Sequence, residues 1–296
     1  MIVLETKLKG TSEQYGRLDE AIRTSQFVRN SAIRYWIDNQ GVGKNELSKL
    51  CAVLAKEFEW AHKLNSMARQ ASAERAWQSI VHFYDNCKKK KPGKKGFPRF
   101  KKNTRSVEYK TSGWKLSDDR KSIAFTDGFE AGMFEMRGTR DLYFYSLSQI
   151  KRVRVVRRAD GYYAQFCVDV EREIKHEYTG SIVGIDLGLE FFYTDSNGEA
   201  VQNPRRLRKS EKRLKRLQKR VSRRKKSSAN RKKAINRMAR QHLKVSRQRK
   251  DFAVKYSGAL VASHDLIAYE NLQVRNMVKN HKLAKSISDA TRVNVC

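Results

Sequence analysis

Two carboxylates in this sequence stand where apolar β-strands end. Ser181-Ile182-Val183-Gly184-Ile185 reads as a buried strand that delivers Asp186, and Leu266-Ile267-Ala268-Tyr269 reads as another that delivers Glu270. The two acids are 84 positions apart in sequence, so only pairing of their strands in one sheet brings them to one site. Paired there, they offer the hard oxygen ligands that Mg²⁺ prefers and that metal-assisted hydrolysis uses. A strand-end Asp also serves as a plain turn-former, and Asp195-Ser196-Asn197-Gly198, after a second strand at 191–194, reads as such a turn. Other metal chemistry has little support. Cys51, Cys87, Cys167 and Cys296 form no CxxC pair, and His62, His82, His176, His242, His264 and His281 show no ligand spacing, so no zinc site is expected.

Elements that position these acids follow from periodicity. Residues 1–9 alternate as a half-buried strand does, and helical spacing begins near Ser12 and resumes from Glu46 to about Cys87 after a Gly-containing break. From residue 107 to 170 the pattern is β: 107–109, 121–125 and 143–145 are strand-like, and KRVRVVRR and YYAQFCVDV flank the turn Ala159-Asp160-Gly161. These short strands suggest a small barrel completed by the first strand, with the helical block inserted into it.

Charge sets the partner. The 296 residues carry 64 Lys and Arg against 31 Asp and Glu, a net charge of +33 that calls for a polyanion. Residues 205–250 alone hold 23 Lys and Arg and one acid, Glu211. Apolar positions there (Leu207, Leu214, Leu217 and Val221, then Ile235, Met238, His242, Val245, Phe252 and Tyr256) recur three and four apart, predicting two antiparallel helices with basic outer faces. Candidate phosphate contacts in this stretch are Arg205, Arg206, Arg208, Arg213, Arg216, Arg220, Arg223, Arg224, Arg231, Lys232, Lys233, Arg249 and Lys250. In KKKKPGKKGFPRFKK, residues 88–102, Lys94, Lys95, Arg99 and Lys101 alternate with Phe97 and Phe100, which suits phosphate contact with base stacking, although a solvated loop fits too. No run of residues is long and apolar enough to span a bilayer, and the N-terminus lacks a signal peptide's apolar core; a cytoplasmic protein with no membrane partner is expected.

VGIDLG, the NPRRLRKSEKRLKRLQKRVSRRKKSSANRKKA stretch, QRKDFAVKYS, YENLQVRNMVKNHKLAKSISDA and GFPRFK together resemble the TnpB (OrfB) proteins of bacterial insertion sequences, RNA-guided DNA endonucleases related to the type V CRISPR effectors. The resemblance implies an α+β multidomain chain. Residues 1–11 and 88–178 would form a wedge β-barrel, 12–87 its helical recognition insert, and 179–296 an RNase H-like (RuvC) domain with the basic helical hairpin at 205–256. It makes Asp186 and Glu270 catalytic Mg²⁺ ligands, and it implies two partners: a guide RNA from the transposon end and double-stranded target DNA. The family continues after SISDA with a CxxC…CxxC zinc ribbon and a third Asp, whereas this sequence reads Thr291-Arg292-Val293-Asn294-Val295-Cys296. The expectation is therefore a C-terminally truncated copy that binds nucleic acid and is impaired as a nuclease. The alternatives are an active endonuclease with a replacement ligand, for which Asp289 is the nearest acid, and a basic nucleic-acid-binding protein without a guide. Oligomeric state stays open.

Overall fold

The computed structural model describes residues 1–138, 142–171 and 177–290. His176 and the tail at 291–296, including Cys296, lie outside them. The chain divides into two compact units, Met1–Arg172 and Glu173–Cys296.

The first unit opens with β1 (Ile2–Lys9) and passes into α1 (Ser12–Asp38) through a capping box, in which the Thr11 hydroxyl accepts from the Gln14 amide and the Gln14 side chain accepts from the Thr11 amide. The continuous helical run expected from Glu46 is in fact three helices, α2 (Lys44–Glu57), α3 (Glu59–His62) and α4 (Ser66–Lys88). Asn65 stops propagation by capping α4, its carboxamide oxygen accepting from the Met67 amide at 2.8 Å. Arg69, buried on α4, donates to the carbonyls of Ala61 and His62 and so satisfies the end of α3. Val28, Ile33, Leu47, Leu54 and Ile80 form the core of these helices.

The sheet of this unit comprises β1, β2 (Ser106–Lys110), β3 (Trp114–Leu116), β4 (Ser122–Phe125), β5 (Met133–Arg137), β6 (Ile150–Arg158) and β7 (Gly161–Val168), in the order β2-β6-β7-β1-β5-β4-β3, with all pairs antiparallel. Instead of the expected barrel it is a curled half-barrel: β2 and β3, though joined by the short turn Thr111–Gly113, stand at the two ends of the strand order and do not pair with each other. Gly113 is required in that turn, since a Cβ would lie 2.8 Å from the Cβ of Tyr109. Leu8, Val107, Tyr109, Phe134 and Phe166 fill the concave side. The aromatic run 143–145 is a turn, not a strand: the Arg120 guanidinium donates to the carbonyls of Leu142, Tyr143 and Tyr145, and Phe144 is left exposed.

The second unit is a four-stranded sheet, β10-β9-β8-β11, of β8 (Ile182–Asp186), β9 (Phe191–Asp195), β10 (Ala200–Gln202) and β11 (Leu266–Tyr269). Between β10 and β11 run α5 (Arg206–Ser222) and α6 (Ala229–Ser263), and after β11 come two short helices, α7 (Val274–Met277) and α8 (Ala284–Asp289). Helices α5 and α6 form the expected hairpin, but the buried positions at the start of α6 are Ala234 and Gln241, with Ile235 and His242 exposed. The packed seam is displaced by one residue at these two positions and returns to the expected one at Val245, which is buried. Among the described residues no helix is long and apolar enough to cross a membrane.

Candidate nucleic-acid interface and carboxylate pair

Strand β8 holds Asp186 in place by burying the residues around it. Val183 and Leu187 are buried, and Phe192 and Tyr193 of β9 pack on Phe252 and Tyr256 of α6, with Phe192 and Phe252 centroids 5.0 Å apart. β11 pairs with β8 in parallel, Leu266 opposite Ile182 through Tyr269 opposite Ile185. Asp186 closes β8 and Glu270 directly follows β11, so both acids stand at the carboxyl ends of neighbouring parallel strands, where open α/β sheets bind ligands. Both residues are exposed. Asp195, the other strand-end acid, is a turn-former: its carboxylate accepts from the amides of Asn197 and Glu199.

Two carboxylates are one short of the three acids that the family resemblance implies. Among the described residues no three His, Cys, Asp or Glu side chains gather where they could hold a metal ion. Asp289 is not placed to join the pair. It is buried, and its two oxygens accept from the amides of Leu207 and Arg208 at 2.8 and 3.0 Å, at the start of α5. Arg205 precedes that helix in a left-handed conformation and offers no side-chain cap, so Asp289 supplies the anion that a helix N-terminus favours. Replacing Asp289 with Ala should destabilise the second unit by about 1–2 kcal/mol, read as a lower melting temperature with no change in Mg²⁺ affinity. Loss of Mg²⁺ affinity would instead make Asp289 a ligand.

The hairpin is built for anions. From residue 212 to 250 the sequence has no acid. Glu211, just before, is already engaged: hydrogen bonds from Lys285 and Lys215 hold its carboxyl down to about 2. Two clefts of this unit differ in sign. One, of about 510 Å³, sets Arg205, Arg208, Lys282 and Lys285 against Glu190, Glu211 and Asp289 and is largely self-neutralised. The other, of about 350 Å³, is lined by Arg220, Arg224, Asn230, Lys233, Ala234 and Arg237, with no acid. Arg213, Arg216, Arg223, Lys232 and Lys250 are exposed on the same two helices, whereas Arg206 is half-buried. Two of the arginines named from sequence have structural partners. Arg231 donates to the carbonyls of Val221 and Arg224 and closes the C-terminus of α5. Arg249 is half-buried beside Asp289, its guanidinium lowered by burial against the pull of that acid. Arg237, which sequence reasoning missed, lines the acid-free cleft; its spacing of four from Lys233 was the available signal.

In the first unit the 88–102 loop is not free in solvent. Asn86 donates to the Lys95 carbonyl, Asn30 both accepts from the Lys101 amide and donates to its carbonyl, and Arg29 donates to the Arg99 carbonyl. Lys94, Arg99 and Lys101 are thereby presented outward, while Lys95 turns back to the Lys91 carbonyl. Phe100 lies against the Arg34 guanidinium at 5.2 Å.

Residues 165–281, which include both carboxylates and the hairpin, match the model of the OrfB family, described as "Probable transposase". A "Putative RNA-guided DNA endonuclease" of Streptomyces pristinaespiralis is 30% identical over 290 residues, which are 95% of this chain and 69% of that protein. The "Putative RNA-guided DNA endonuclease InsQ" of Escherichia coli K12 is 26% identical over 263 residues, 86% of this chain and 62% of that protein. Among solved structures, one described as a CRISPR-Cas12f ternary complex aligns over 96% of this chain and 69% of its own at 12% identity and a TM-score of 0.33, too slight a likeness to inform the fold. By the first of these relatives, together with the family match, the chain belongs to the TnpB/OrfB family of insertion-sequence proteins.

Proposed function

We propose that this chain is an RNA-guided DNA-binding protein: it holds a guide RNA and the target DNA, and as a nuclease it is impaired. The acid-free hairpin and its cleft of four basic side chains carry the reading: 39 consecutive residues hold no carboxylate, and beyond Glu211 beside Lys215 and Asp289 beside Arg249 a polyanion is their natural counter-charge. The names of its relatives supply the guide. In such a division of labour base pairing reads the target and the protein grips backbones. Asp186 and Glu270 would hold Mg²⁺, which in the relatives' class of chemistry activates water and stabilises the leaving oxygen. With two carboxylates together and Asp289 engaged as a helix cap, we assign this chain weak metal binding and derive no cleavage step through it. The RuvC assignment of residues 179–296 and the wedge and insert assignments of 1–178 belong to this same proposal.

The test is co-expression with the transposon-end RNA, then incubation of guide-matched plasmid in Mg²⁺ beside Asp186→Ala. The expected result is a discrete co-purifying RNA, retention of matched plasmid, and nicking no greater than in Asp186→Ala. Matched cleavage that disappears in Asp186→Ala would overturn the impairment. Protein that binds any RNA or DNA alike, with no discrete RNA recovered, would overturn the guide and leave a general basic binder.

A further inference from the structure

Four rings from three stretches of the first unit meet at its surface: Trp36 near the end of α1, Phe83 and Tyr84 on α4, and Phe97 from the pinned 88–102 loop. The Trp36 centroid lies 5.6 Å from Phe97, 5.9 Å from Tyr84 and 6.3 Å from Phe83, and Phe83 is 5.3 Å from Phe97. Trp36 Nε1 donates to the Tyr84 hydroxyl at 3.2 Å, which orients both rings. A cluster made for packing would be hidden, yet Tyr84 is 50% and Phe97 52% exposed. The loop that carries Phe97 holds no acid from residue 86 to 107, and Lys88, Lys89, Lys90, Lys91 and Lys94 on it are exposed.

We propose that this cluster is a stacking platform for bases of an unpaired nucleic-acid strand, with the neighbouring lysines on its phosphates. The proposal rests on the nucleic-acid reading above and deepens it by naming the contact. Sequence-tolerant binding of single strands combines a basic track with aromatic faces held open to the bases. The rings here are oriented by one another and by the loop clamp, so little side-chain freedom is lost on stacking. A protein partner fits the patch poorly, because protein interfaces favour aromatics but are depleted in lysine. Phe100 is excluded from the platform, since Arg34 lies over its ring.

The experiment is fluorescence anisotropy of the full chain with a labelled 15-residue oligouridylate and with an RNA duplex of equal length, over a range of salt. Tyr84→Ala should weaken single-strand binding about tenfold or more, in line with the 1–3 kcal/mol that one stacked base contributes. It should leave duplex affinity and the salt slope unchanged, because no charge is removed. Tyr84→Phe keeps the ring and its packing on Trp36 and Phe83 while losing the Trp36 hydrogen bond, and should recover most of the binding lost in Tyr84→Ala. Unchanged oligouridylate affinity in Tyr84→Ala, or an equal loss on the duplex, would overturn the platform while the nucleic-acid reading stood. Wild-type protein that binds neither probe would overturn both.

Discussion

Replacing Arg220, Arg224, Lys233 and Arg237 together with glutamine should weaken nucleic-acid binding about a thousandfold at 0.1 M salt. Each phosphate contact releases counterions and contributes about 0.9 to the slope of log affinity against log salt on duplex DNA. Removing four contacts should therefore lower that slope by between about three and four, and the wild-type and variant curves should converge near 1 M salt. Folding does not confound the measurement. Lys233 and Arg237 are like charges four residues apart on α6, a mildly destabilising arrangement, and among the described residues Arg220 and Arg224 have no acidic partner to lose. The quadruple variant should melt at the same temperature as wild type or slightly above it. Lys215 and Lys255 are the matched controls, because Glu211 and Asp251 already pair with them; their replacement with glutamine should change affinity only a few-fold. A salt slope unmoved by the quadruple variant would place the phosphate contacts elsewhere.

The strands that end at Asp186 and Glu270 were legible because strand patterns are local, whereas the parallel register of β11 beside β8 came only from the structure. The turn at Ala159-Asp160 and the start of α1 were legible for the same reason, since the turn and cap residues lie next to what they shape. What the sequence hid depends on distant partners. Tyr143-Phe144-Tyr145 has strand composition, but Arg120 takes its carbonyls and makes a turn of it. Asp289 looks like any late helical acid until α5 is seen to lack a cap of its own. The exposed Phe97 was visible as an aromatic among lysines, but its companions Trp36, Phe83 and Tyr84 come from two helices whose facing is set by tertiary packing. At the start of α6 hydrophobicity alone was a poor guide, because Ala234 and Gln241 are buried there while the more apolar Ile235 is exposed.

Glu108→Ala should destabilise the first unit by about 3 kcal/mol, the lower end of what removing one partner of a buried ion pair costs. Glu108 is 4% exposed on β2, directly opposite Arg154 of β6. It accepts from Arg152 Nη1 at 2.8 Å and from Arg154 Nε and Nη2 at 3.0 and 2.5 Å. Arg152 also reaches Glu74 of α4, on which Lys110 and Lys44 converge, so one network ties the helical block to the sheet. Without Glu108, Arg154 remains beside Arg75, whose guanidinium is lowered by burial and by Arg154. The arginines are partly exposed and water recovers some of the loss, which is why the lower end applies. For a unit of this size the melting temperature should fall by between about 6 and 12 °C. The pH dependence has two limbs of opposite sign. Burial alone would raise the Glu108 carboxyl, but the hydrogen bonds from Arg152 and Arg154 overcome it and hold the group below its ordinary value. Its contribution is thus present above the unfolded value near 4.3 and is lost as pH falls through the lower folded value. Asp127 behaves the other way: burial pushes it up to about 6, against hydrogen bonds from the Tyr109 hydroxyl and the Phe129 amide. Its contribution is full below the unfolded value near 3.9 and declines as pH rises to 6, by about 2 kcal/mol. Melting temperature against pH should accordingly peak between about 4 and 5. Glu108→Gln should make the acid limb shallower and leave the upper limb intact, whereas Asp127→Asn should remove the decline between pH 4 and 6. A profile in Glu108→Gln parallel to wild type below pH 4 would show that the ion network does not carry the acid limb.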